Sequence, residues 1–163
     1  MASPSANLLP FLETAKMRML MNKMLVLKES MFHLIKNTEL EVTLDVSGVD
    51  DHLPSVAFNI GVLWNMPFQK ANIEIKECWF ECSDIDTFHS KLKELKSLEN
   101  GTATLSDLSQ NPVVILTKSG NEVKTQIFAQ DTSSLGQISL KVNGYSTELS
   151  EIAERLGSFE KWW

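Results

Sequence analysis

The sequence predicts an α+β protein: a curved antiparallel sheet of about eight strands, with two amphipathic helices packed on one face. Three observations predict it. From residue 31 onward, apolar residues recur mostly with a period of two, and turn residues divide the runs at hairpin spacing. Two stretches switch to a period of 3.6 residues. Most links between the alternating runs are too short for anything but antiparallel neighbours.

Residues 1–30 read as a leader or docking segment ahead of a single α+β domain over 31–163. Ser3, Pro4, Ser5 and Pro10 give a polar, interrupted start, and from Lys16 basic residues interleave with Met17, Met19, Met21 and Met24. A secretory signal would put its charges before an apolar core and a small-residue cleavage site, which this pattern lacks. The same methionines offer alternative starts of translation. No stretch approaches 18 apolar residues, so no membrane-crossing helix is predicted.

The first strand carries Phe32 and Leu34 and turns at Asn37-Thr38. Leu40, Val42, Leu44 and Val46 alternate with Glu41, Thr43 and Asp45, a strand with one wet face. A loop over 47–54 has Asp50-Asp51-His52 at its tip, and Val56, Phe58, Ile60, Val62 and Trp64 form the next strand. The organising stretch is 72–98. It opens as a strand with Ile73, Ile75 and Trp79 on one face. It then becomes a helix, with Ser83 as the expected N-cap and the stripe Ile85, Phe88, Leu92, Leu95.

Asn100-Gly101 is the expected C-cap. A short strand over 102–105 and a polar turn over 107–111 come next. The clearest hairpin follows, 113–117 and 122–129 about Lys118-Ser119-Gly120-Asn121. Ile138, Leu140 and Val142 make the last strand, which Asn143-Gly144 is expected to break. Ser146 or Thr147 should cap a final helix with the stripe Leu149, Ile152, Ala153, Leu156, ended or interrupted at Gly157.

The 163 residues carry a net charge of −6, which argues against a general nucleic-acid backbone binder. Residues 1–36 hold five basic and two acidic side chains, leaving 10 basic and 19 acidic ones, a balance of −9, for the rest. An acidic body favours basic partners. The two cysteines are too few for a disulfide framework. On a strand, Cys78 and Cys82 would stand about 13 Å apart, too far to bridge, so a reducing, cytoplasmic setting is expected.

Chemistry is sparse. Cys78, Cys82, His33, His52 and His89 lack the paired spacings of a structural zinc site, so neither metal nor cofactor is expected. Cys82 precedes a helix N-terminus, where a thiol can be activated, but Asp84 and Asp86 oppose that. No nucleophile-elbow, phosphate-loop, dinucleotide or paired-histidine zinc motif occurs, so the chain is read as no enzyme. Trp162-Trp163, beside Phe159, either pack over the fold or present a sticky patch to a partner or second copy. By charge and exposure, the candidate partner-binding residues are Asp50, Asp51, Glu74, Glu77, Asp107, Trp162 and Trp163.

One longer pattern carries a resemblance. Trp79 ends a strand; Ser83-Asp84-Ile85-Asp86 leads to Phe88, Leu92 and Leu95; Gly101-Thr102-Ala103-Thr104-Leu105 precedes a hairpin; and Ile138, Leu140 and Val142 precede a closing helix. This resembles the WapI-type bacterial immunity proteins over the second half of the chain. The resemblance implies a non-enzymatic role, binding and neutralising a delivered toxin domain, often a nuclease. It supplies no catalytic residue. The expected partner is then a basic toxin domain, with no nucleic acid and no membrane, and the protein a monomer or homodimer. A chaperone or adaptor for a secreted effector is the other reading, and an enzyme using Cys82 a third.

Overall fold

The computed structural model describes residues 31–50, 52–130, 135–159 and 161. The chain divides after Met31 into two units, and the described sheets and helices lie in the second, Phe32–Trp163, apart from Met31 itself. Its elements are β1 (Met31–Lys36), β2 (Leu40–Asp50), β3 (Ser55–Met66), β4 (Gln69–Glu81), α1 (Cys82–Ser97), β5 (Asn100–Ser106), β6 (Pro112–Ser119), β7 (Glu122–Gln130), β8 (Gln137–Tyr145) and α2 (Glu148–Ser158). Among the described residues, the α+β class, the eight strands and the two amphipathic helices agree with the sequence reading.

The eight strands form two sheets of four rather than one, in the orders β1-β2-β3-β4 and β5-β6-β7-β8. The chain thus traces the same path twice, four strands and then a helix. The division falls where the helical stretch interrupts the alternation. A 16-residue helix removes the short link that would have laid β5 beside β4.

One face of each sheet is buried. In the first, Val42 faces Val62, Leu44 faces Ile60 and Val46 faces Phe58 across β2 and β3. In the second, Leu105 faces Val114, Leu116 faces Thr125 and Ile127 faces Leu140. The helices bury the predicted stripes: Ile85, Phe88, Leu92 and Leu95 on α1, with Cys82 added, and Leu149, Ile152, Ala153 and Leu156 on α2. They also meet each other, with His89 Nε2 3.0 Å from the Ala153 carbonyl oxygen.

Several boundaries differ from expectation. Trp79 does not share the face of Ile73 and Ile75. The register slips between Phe58 and Ile60, so that Lys76 and Glu77 together oppose Asn59. Glu77 takes a φ of 50°, and its N–H donates to Asn59 Oδ1 at 3.0 Å. This β-bulge hands the core face to Cys78 and Phe80 and sends Trp79 to the other side, against Gly48 and Ala57. Helix α1 begins one residue before Ser83. Glu81 holds the N-cap position, and the Ser83 hydroxyl bonds the Glu81 carboxylate at 3.2 Å.

At its other end α1 stops at Leu98, which is extended, and Asn100-Gly101 already belongs to β5. The buried Lys118 of β6 satisfies the last turn instead, donating from Nζ to the carbonyls of Leu95 at 3.0 Å and Lys96 at 3.3 Å. Asn143-Gly144 does not break β8, because Val123-Gly144 and Lys124-Asn143 remain in register with β7. Thr147 holds the N-cap position of α2 without a side-chain bond, and the helix passes through Gly157. Gly120, with φ 59°, supplies the left-handed residue that the β6–β7 turn requires.

Candidate functional site

The acidic residues singled out from the sequence do not converge. Asp50 builds its own turn. Its Oδ1 accepts the N–H groups of His52 at 2.8 Å and Leu53 at 3.3 Å, and these bonds hold the carboxyl below the usual carboxylate range. Asp107 is likewise engaged in its own β5–β6 turn by hydrogen bonds alone, accepting from the Asn111 N–H at 2.8 Å and from Asn111 Nδ2 at 3.3 Å. Glu77 sits in the bulge. Glu74 is exposed on β4, its carboxylate 3.9 Å from Lys76 Nζ. Asp50 pairs with Ser55 and Glu74 with Gly61, so six residues of β3, about 20 Å, separate the two. Asp51, Trp162 and Trp163 lie outside the described residues.

The cysteines are poorly placed for nucleophilic work. Burial pushes the Cys78 thiol up to about 12, and the Asp107 charge adds to it. Cys82 is also raised, by burial first and Asp86 second. Among the described residues no three histidine, cysteine or acidic side chains are grouped to hold a metal ion. No described helix is long and apolar enough to cross a membrane.

A different set of acidic residues does converge. An open cleft of about 460 Å³ lies between the β1–β2 turn, the start of β7, the end of β8 and the start of α2. Glu39, Glu122 and Glu148 line it, with Asn37, Asn143 and Tyr145. Local chemistry sets each wall. Asn37 Oδ1 accepts the N–H groups of Glu39 at 2.9 Å and Leu40 at 2.7 Å, which fixes the turn bearing Glu39. Glu122 follows directly on the Gly120-Asn121 turn. Glu148 opens α2 and lies against β8, where Gly144 makes room: a β-carbon there would stand 2.6 Å from Glu148 Oε2.

The cleft concentrates negative charge. Burial raises the Glu148 carboxyl above its ordinary value. The Tyr145 N–H and the Asn37 side chain oppose that shift, while Glu151 and Glu39 add to it. Among the described residues no basic side chain lines the walls. Tyr145, 71 % exposed, stands at the rim. A lysine ammonium or arginine guanidinium entering here would meet three carboxylates, two amide side chains and an aromatic ring.

Neither a protein-family model nor any curated protein or solved structure matches this chain.

Sequence reasoning missed this cleft because Glu39, Glu122 and Glu148 are scattered along the chain. The readable signal was local. Each glutamate sits at an element boundary: Glu39 is the last residue before β2, and Glu122 and Glu148 are the first residues of β7 and α2.

Proposed function

We propose that this chain is a non-enzymatic binding protein of the immunity type, which captures a basic protein partner such as a toxin domain. The observation that carries the reading is the cleft bounded by Glu39, Glu122 and Glu148, with no basic side chain among its described lining residues and with Tyr145 exposed. A nuclease active site is basic because it must hold phosphate. Carboxylates presented around an open cleft can therefore take the place of that phosphate and steer rapid association. The sequence resemblance to WapI-type immunity proteins points the same way. Two free thiols suit a reducing cytoplasm.

The test is co-expression with candidate toxin domains, first any encoded beside this gene. A complex should form and survive purification. The triple variant Glu39→Gln, Glu122→Gln, Glu148→Gln should slow association about 10- to 100-fold at low salt, and less at high salt. Failure of every candidate to bind, or binding indifferent to the three changes, would reject the reading.

A further inference from the structure

We infer that the outer edge of β4 is a self-complementary surface on which a second copy of this chain pairs, antiparallel, about a two-fold axis through Asn72. The argument begins with the phase of the hydrogen bonds. The two-residue turn Pro67-Phe68 closes on the Met66-Gln69 pair, which is therefore a hydrogen-bonded one. Alternation then turns the peptide groups of Lys70, Asn72 and Glu74 away from β3. Asn65, opposite Lys70, confirms the phase by donating its N–H to Glu39 O of the β1–β2 turn at 2.8 Å. Beyond the bulge the phase moves by one residue, and Trp79 turns its carbonyl outward to the Leu108 N–H at 2.9 Å. Among the described residues the outward groups of Lys70, Asn72 and Glu74 have no backbone partner.

The side chains select the partner. Lys70, Asn72 and Glu74 are all exposed and run cation, amide, anion. Antiparallel pairing centred on Asn72 sets Lys70 of each copy opposite Glu74 of the other and places the two Asn72 residues together. Centring on Ile73 would instead oppose Lys70 to Lys76. On the inner face the same register sets the half-buried Ile73 opposite Ala71 of the second copy. The edge of β8 offers no such match, since Lys141 is its one charged residue.

The register also accounts for two further features. Phe68, at the β3–β4 turn, is 98 % exposed. Beside Glu74, Ile75 and Lys76 an open cleft of about 550 Å³ separates β4 from the end of the β7–β8 hairpin, with Ala129 and Ile138 on its far wall. Pairing about Asn72 puts Phe68 of one copy alongside Lys76 of the other, at this cleft. Each copy thus supplies both the protruding ring and the apolar recess. Among the described residues no β4 side chain lines the acidic cleft, so the two surfaces share no residue.

Light scattering and sedimentation of the full chain test the proposal. The wild type at about 100 µM should run at twice its 18.3 kDa mass. Glu74→Lys should weaken the dimer about tenfold or more by opposing lysine to lysine, and Phe68→Ser should weaken it as well. The swap Lys70→Glu with Glu74→Lys should restore dimerisation, because only this register opposes those two positions. Circular dichroism of each variant verifies that the fold is kept. A monomeric wild type, a dimer indifferent to Glu74→Lys, or a swap that fails to restore pairing would each overturn it.

Discussion

His89 shows how one side chain couples the two helices. It lies on α1, bonds the Ala153 carbonyl on α2, and packs against Gly157. Burial lowers its pKa first, and the Lys93 charge second. Lys161 lowers it further, while the Ala153 bond and Asp86 act the other way. A lowered histidine pKa means that the unfolded chain binds the proton more readily. Stability is therefore full above the ordinary value near 6.5 and falls as pH drops below it. Wild-type Tm should decline between pH 7.5 and about 5.5, and His89→Gln should flatten that decline. An unchanged slope in the variant would place the acid sensitivity elsewhere. The residue type was plain in the sequence, but nothing there paired it with a carbonyl 64 positions away.

At the scale of elements, the C-terminal end of α1 rests on a group from outside the usual capping positions. Lys118 reaches from β6 to the carbonyls of Leu95 and Lys96, where a cation also suits the helix dipole. Lys118→Met keeps the aliphatic stem and removes the donor. It should cost about 1–2 kcal/mol, read as a lower urea midpoint at unchanged slope. A midpoint within error of wild type would show that solvent satisfies those carbonyls equally well. The strand β4 makes a related point. Its alternation breaks at Glu77, and a period of two cannot be carried through an unrecognised bulge. A period of two therefore puts Trp79 on the wrong face, and β4 begins at Gln69, three residues before the expected start at Asn72, while its end at Glu81 is legible.

For the whole molecule, the repeated path of four strands and a helix raises the question of whether the halves unfold separately. The packing argues for one transition. Phe88 of α1 is completely buried. Phe159, just beyond α2, stacks on Phe32 of β1 with ring centroids 4.3 Å apart. Phe88→Ala should cost about 3–5 kcal/mol. Amide exchange in β3 and in β7 should report the same loss, since the two sheets share the helices. Loss confined to one sheet would instead show two independent cooperative units.

Alternation, turn chemistry and helical stripes identified this protein's class, its strands and the inward faces of both helices, because each depends on neighbours within a few residues. Only the tertiary structure decided that the strands make two sheets, that Asp50 and Asp107 are spent on their own turns, and that Glu39, Glu122 and Glu148 meet. Those outcomes depend on contacts between residues tens of positions apart, set by how the elements pack, and no local periodicity encodes them.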